Sequence, residues 1–309
     1  MTASARLGLG LAAVGRPAYI TTARDSDLGH PADRSVEALR TRAHLLLDEA
    51  WELGIRYVDA ARSYGLAKEF LGSWLGAHPE RRAQLTIGSK WGYAYVGEWR
   101  MDAAVHERKE HSARMFDRQW PETLAALGSA PDFYLVHSVT PESTALADAD
   151  LLERLRRLRG EGVRVGLSTS GPHQGEVVRT ALGIADTPFS VVQSTWNLVE
   201  PSAASALERA HGAAWTVVVK EVLANGELAS AEAGKNLAGV ASGVPADVLA
   251  IGAALAQPWA DIVLSGATTT DQLRRGAGAR ALPVAAAVRE PLAVAPGEYW
   301  RRRSERPWR

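Results

Sequence analysis

The chain has 309 residues, 46% of them hydrophobic, and its 35 Lys and Arg balance 35 Asp and Glu to a net charge of zero. That hydrophobic share suits a globular protein with a full core, and the neutral balance provides no global attraction to nucleic acid or to an anionic membrane. Cysteine is absent, which excludes disulfides, thiolate catalysis and cysteine-ligated metal sites.

The N-terminus lacks a basic segment followed by a long apolar run, and no apolar run reaches ~18 residues, so neither a signal peptide nor a membrane span is expected and the cytoplasm is the default location. Leu7 to Val14 reads as the first strand. Its Gly8, Gly10 and Gly15 do not have the GxGxxG spacing of a dinucleotide fingerprint, and Pro17 blocks a helix from opening there. The glycines instead allow a ligand to approach the backbone closely. Gly15 to Ser35 is a polar loop holding Tyr19, Asp25 and His30, and loops of that length in a compact domain are often functional. Val36 to Leu53 follows as a helix with an apolar stripe through Leu39, Ala43, Leu46, Ala50 and Leu53, stopped by Gly54. Arg56 to Ala60 is a short strand ending on Asp59. Tyr64 lies in the turn before the next helix, Lys68 to Ala77, which turns Phe70, Leu71, Trp74 and Leu75 inward.

Leu85 to Trp91 is an apolar strand that ends near Lys90. The long polar segment Gly92 to Ser112 then carries Tyr93, Tyr95 and Trp99 beside the charged run HERKEH. Its aromatics either line a substrate mouth or pack the loop onto the body of the protein. His106 and His111 lack the HExxH spacing, so no metal site is expected. Phe116 to Gly128 is helical in pattern, with Pro121 starting or kinking it. Phe133 to Val139 is a strand carrying His137, and Ala147 to Gly160 is a basic amphipathic helix whose charges form a solvated face. Val163 to Thr169, Phe189 to Trp196, Trp215 to Val222 and Asp261 to Ala267 complete the strands. One helix fits between each pair, except that Gly226 to Gln257 holds two. No second core pattern and no linker interrupts this alternation, so residues 1–309 read as one domain with a C-terminal tail over 280–309.

An acid at one strand end, a phenol just beyond it, a lysine and a histidine at two later strand ends form the informative pattern. Taken singly, each has a structural alternative: Asp59 as a helix cap, Tyr64 as a packed aromatic, Lys90 as an exposed strand-end charge, His137 as a satisfied buried histidine. In an alternating α/β chain, however, parallel strands present their C-terminal ends at one face. Asp59, Tyr64, Lys90 and His137 would therefore converge at one mouth.

With these residues in the blocks GIRYVDAARSYGLAKEFLG, SKWGY and LVHSV, the chain resembles the aldo-keto reductases from Leu7 to about Ala279, and most closely a bacterial branch carrying VKEVLANG in the seventh strand region. The resemblance implies a single (β/α)8 TIM barrel and a catalytic tetrad of Asp59, Tyr64, Lys90 and His137. It implies reduction of an aldehyde, ketone or sugar carbonyl by NADP(H), with NAD(H) as the alternative cofactor. Tyr64 would be the general acid or base. Its phenol, with an ordinary pKa of about 10, would be shifted toward phenolate by the Lys90 ammonium, which Asp59 orients. His137 would donate a hydrogen bond to the carbonyl oxygen.

By the same resemblance Ser168, Thr169 and Gln193 surround the nicotinamide amide, with Thr169 where the family has Asn, and Lys220 stands where an aromatic commonly stacks on the ring. Leu223, Asn225 and Gly226 follow as cofactor contacts. Ser265, Gly266, Ala267, Thr268, Thr269 and Gln272 form the adenosine-phosphate loop, where a helix starting near Thr269 offers free N–H groups. The positions that often hold a 2′-phosphate with Lys or Arg are neutral here: Gly266, Thr268 and Gln272. Tyr19, Trp91, Tyr93, Trp196 and Trp300 are expected to line the substrate mouth. The partner is thus a small carbonyl or alcohol, with no nucleic acid, membrane or metal. The alternative is an NADP-binding regulatory or redox-sensing barrel with little turnover. The tail, rich in aromatics and arginines through Trp308 and Arg309, is either a lid on the substrate site or an anchor on the side of the barrel.

Overall fold

The structure, a computed structural model, describes residues 6–22, 24–237, 240, 241 and 243–309. Eight parallel strands close into a barrel. In chain order they are β1 (Arg6–Gly10), β2 (Tyr57–Asp59), β3 (Thr86–Trp91), then, after the small hairpin β4 (Tyr93–Tyr95) and β5 (Glu107–Lys109), β6 (Phe133–Val139), β7 (Arg164–Thr169), β8 (Phe189–Thr195), β9 (Thr216–Lys220) and β10 (Ile262–Ser265). Each barrel strand pairs with its neighbours in the chain, and β1 closes the ring by pairing β10 at Leu9 with Ser265 and β2 at Gly10 with Asp59.

Helices cover the outside: α1 (Arg24–Leu28), α2 (Val36–Glu52), α3 (Ala67–Ala77), α4 (Ala113–Leu127), α5 (Ala149–Gly160), α6 (Gln174–Leu182), α7 (Ala204–Gly212), α8 (Ala231–Leu237), α9 (Ala246–Leu255) and α10 (Thr270–Ala277), followed in the tail by α11 (Ala286–Arg289) and α12 (Pro296–Ser304). The expected pair of helices after Gly226 is thus α8 and α9. Inside the barrel Tyr57, Phe133, Leu135, Val191, Val218 and Leu264 pack together as a plug drawn from five of the strands, with β6 giving both Phe133 and Leu135. Glycine makes room for it: a Cβ on Gly88 would sit 2.1 Å from the Tyr57 hydroxyl. The barrel is therefore filled below, and chemistry is confined to its upper rim.

Four local readings are corrected. The first strand stops at Gly10 and not Val14, because Leu11 accepts from the amides of Val14 and Gly15 and turns the chain. Leu53 is 37% exposed, because α2 ends one residue earlier and Gly54 reverses the chain at φ +76°. Helix α4 begins ahead of the apolar pattern, at Ala113, because the Ser112 hydroxyl accepts from the Met115 amide and caps it; Pro121 lies within the helix. The segment from Gly92 to Ser112 is partly ordered by the β4–β5 hairpin.

Candidate active site

Asp59 ends β2 and pairs in register with Gly88 of β3, which brings Lys90 to the rim two residues further on. Both side chains are buried, and the Lys90 ammonium forms an ion pair with the Asp59 carboxylate. The second carboxylate oxygen accepts from Gln193 Nε2 of β8 at 2.9 Å. Tyr64, in the turn after β2, lies with its ring centroid 4.9 Å from Lys90 Nζ. His137 meets Tyr64 edge to face at 5.5 Å and Tyr93 at 5.0 Å between centroids. Ser63 Oγ is 3.3 Å from His137 Nδ1. A break in register between Val136 and Val139, with Ser138 at φ +54° and its amide bonded to Ser168 Oγ at 2.7 Å, tilts His137 toward the mouth.

The electrostatics differ from the sequence expectation in one respect. The Tyr64 phenol is held well above its ordinary pKa, by burial first and then by the Asp59 charge. The Lys90 charge is cancelled by Asp59 at contact range, so it does not draw the phenol toward phenolate. Lys90 itself is lowered by burial, against the pull of Asp59. His137 is pushed well below its ordinary value by burial and by the Lys90 and Lys220 charges. The resting site thus presents a protonated phenol and a neutral imidazole.

Segments outside the barrel build the walls. Arg16, buried in the loop after β1, bonds the Ser63 carbonyl at 2.7 Å and Glu107 of the hairpin at 2.6 Å. Its guanidinium lies over Tyr19 at 5.0 Å, Tyr64 at 5.5 Å and Trp308 at 4.7 Å. Trp308 stacks on His106 at 4.4 Å, and the Tyr19 and Arg309 backbones exchange two hydrogen bonds of 2.9 and 3.1 Å. At the end of β9, Lys220 bonds Thr195 Oγ1 at 3.0 Å and lies 3.7 Å from Glu221, which forms a bidentate pair with Arg303 of α12 at 2.5 and 2.9 Å. Burial lowers Lys220 to about 8. Burial acts to raise Glu221, but Arg303 and Lys220 outweigh it and bring the carboxyl to about 2.

These groups enclose one end of a cavity of about 800 Å³ that runs from Tyr64 and His137 past β9 to the N-terminus of α10. Gln193, Lys220, Leu223, Asn225, Gly226, Ser265, Gly266, Ala267, Thr268, Gln272, Tyr19 and Tyr93 line it as expected from sequence. Seven expected residues do not, the first being Lys90, which is fully buried against Asp59 and reaches the cavity only through Asp59 and Tyr64. Ser168 faces Ser138, as described, and Thr169 is bonded to Ser194 Oγ at 2.8 Å in a buried network that includes Gln174. Thr269 caps α10 by accepting from the Gln272 amide. Trp91 and Trp196 are fully buried behind the strands, against Phe116 and Trp259 respectively, and Trp300 is on the buried face of α12 beside Tyr299. Conversely, Arg16, Glu107, Glu221, Arg303 and Trp308 line the cavity without having been assigned to it. Their signal was weak but present: Arg16 lies in the long first loop, Glu107 in HERKEH, Arg303 and Trp308 in the aromatic tail.

The chain thus gathers an acid, a phenol, a lysine and a histidine at the C-terminal rim of a filled eight-stranded parallel barrel. The aldo/keto reductase family model matches residues 7–240, and the chain belongs to that family, whose members are carbonyl–alcohol oxidoreductases. No curated protein sequence matches the chain. Among solved structures it is similar to the holo form of the aldo-keto reductase AKR11C1 from Bacillus halodurans, with TM-score 0.70, 21% identity, and coverage of 94% of this chain and 93% of that one. It is also similar to the glycerol dehydrogenase AKR11B4 from Gluconobacter oxydans, with TM-score 0.66, 17% identity, and coverage of 94% and 90%. At these identities the likeness speaks for the fold alone.

Proposed function

We propose that the chain is an NAD(P)(H)-dependent reductase that interconverts a small aldehyde, ketone or sugar carbonyl and its alcohol, in the bacterial branch marked by VKEVLANG, with Tyr64 as general acid and base. The observation that carries this reading is the set of three groups at one end of the cavity: a protonated Tyr64, the neutral Lys90–Asp59 pair beneath it and a neutral His137 beside it. No side chain donates hydride, and a bound nicotinamide would supply it.

The fit to such a group rests on Gln193. Its Nε2 is committed to Asp59, and its buried Oε1 has no partner among the described residues, which suits a carboxamide N–H. Ser265 to Thr268, Gln272 and the amides opening α10 would take the phosphate half. The resemblance favours NADP(H) over NAD(H), and the charges at the far end of the cavity bear on that choice below.

In the reductive direction Tyr64 donates its proton to the carbonyl oxygen as negative charge develops there. With Ser63 donating to His137 Nδ1, the imidazole keeps its proton on Nε2 and can donate it to the same oxygen. Burial excludes water and strengthens both interactions. Substrate choice falls to Tyr19, Tyr93, Arg16 and Trp308, and a cytoplasmic location suits the reading.

The test is Tyr64→Phe, which keeps the ring and removes only the hydroxyl. Turnover of an aldehyde panel should fall by ~10²–10⁴-fold while dinucleotide affinity stays within a few-fold. Wild-type turnover in that variant would remove Tyr64 from the chemistry, and absence of turnover in the parent over the whole panel would favour the redox-sensing alternative.

A further inference from the structure

Resting on the cofactor reading above, the inference concerns the end of the cavity far from Tyr64. A dinucleotide with its nicotinamide beside Gln193 can only run along β9 and β10 toward α10, because the barrel below is filled. Its adenosine ribose then arrives among Thr268, Gln272, Asp27, Asp247, Ile251 and Arg275. Among the described lining residues at this end, two carboxylates face one cation. Arg275 Nε is bonded to Asp247 Oδ2 at 3.1 Å, so its charge is already matched. Asp27, on the short helix after β1, has no such counter-charge among the described residues: its Oδ2 lies 3.2 Å from Thr268 Oγ1, a hydroxyl that is also 3.0 Å from Gln272 Oε1. Arg42 does not line this cavity. It bonds the Thr268 carbonyl at 3.1 Å from the α2 side.

We infer that Asp27 makes this protein a selector for the dinucleotide that lacks a 2′-phosphate, reversing the preference implied by the family resemblance. A carboxylate suits a ribose diol, because it accepts from the 2′-hydroxyl, as acidic residues do in other NAD sites. The same carboxylate opposes a 2′-phosphate, which brings about −1.5 to −2 charges into a recess whose described charges already sum to one negative. Gln272 and Thr268 can bond a hydroxyl or a phosphate alike, so the discrimination lies in charge and not in hydrogen-bonding capacity. Asp27 approaches from the β1 side and meets the α10 loop through Thr268, so it is a residue of the rim that would face the ribose.

The experiment is a binding titration of the full chain with NADH and, separately, NADPH, read by quenching of tryptophan fluorescence with no substrate present. NADH should bind at least about tenfold more tightly. Asp27→Asn should shift the ratio toward NADPH by about tenfold, mostly by tightening NADPH. Asp247→Asn, which frees Arg275, should shift it in the same direction by a separate route and covers the case in which the first variant folds poorly. NADPH binding as tight as NADH in the parent, or an unchanged ratio in both variants, overturns the inference and leaves the reductase reading standing. Failure of both dinucleotides to bind the parent overturns both.

Discussion

Acid should weaken this protein through His111, a histidine that does no chemistry. The ring sits between the hairpin and β6. Its Nε2 is 2.7 Å from the His137 carbonyl, which can only accept, so Nε2 carries the proton, and Nδ1 accepts from Ser143 Oγ at 2.6 Å. It is buried edge-on to Trp91 and Tyr93. Burial, and then the Lys109 charge, lower its pKa from 6.5 to about 4. Between those values the unfolded chain binds a proton that the native protein does not. The stability this group contributes is therefore complete above 6.5, falls as the pH drops, and is gone below about 4. The gap is worth about 3 kcal/mol, a large fraction of the ~5–15 kcal/mol that holds a domain together.

Urea unfolding of the parent and of His111→Gln at pH 7.5 and pH 4.5 measures it. The variant should be less stable at the higher pH, having lost packing against Trp91, yet should lose about 2–3 kcal/mol less on acidification. His137, also depressed by burial, remains in both proteins and cancels in the comparison. Equal acid losses in the two proteins would refute the assignment of this titration to His111.

Two other perturbations separate chemistry from architecture. Asp59→Asn leaves the Lys90 ammonium buried without its counter-charge and should cost ~3–5 kcal/mol in thermal or urea unfolding, while Asp59→Asn with Lys90→Met should recover much of it; a single variant as stable as the parent contradicts the pair's structural weight. Trp308→Ala removes the ring stacked between His106 and Arg16 and should raise KM for bulky substrates and reorder the substrate ranking with little change in Tm, whereas truncation after Pro296, which deletes buried Tyr299 and Trp300, should lower Tm. Unchanged ranking in Trp308→Ala would make the tail an anchor only.

The barrel was legible because its strands are short runs of three to seven residues separated by helical patterns, a periodicity written locally. Asp59, Lys90 and His137 were legible because strand direction alone sends their C-terminal ends to one face. Three things depended on contacts that no spacing encodes. Trp91, Trp196 and Trp300 resemble mouth aromatics in sequence, but register turns the strand-end residues Trp91 and Trp196 behind the barrel, and Trp300 lies on the buried side of helix α12, so none of the three lines the cavity. Thr169 stands one residue from Ser168 and so takes the opposite face, where Ser194 and Gln174 receive its hydroxyl. The charge state of Tyr64 depends on its burial and on the Asp59 charge beside it, which only the folded arrangement determines.

The walls follow a different logic from the floor. Asp59, Lys90, Gln193 and His137 are set by strand pairing, so their relative positions are as rigid as the barrel. Tyr19, Glu107, Trp308 and Arg303 are held chiefly by one another and by the loops: Arg16 joins the first loop to the hairpin through Glu107, Trp308 joins the tail to both through Arg16 and His106, and the Tyr19–Arg309 backbone pair fastens the tail to the first loop. None of these links runs through the strand ladder. A change in one of them can therefore reshape the substrate space without moving the tetrad, and the rate of the chemical step and the choice of substrate are separable in this chain. Arg16 is different, since it also bonds the Ser63 carbonyl and covers the Tyr64 ring, so through it a change in the loops reaches the proton donor directly.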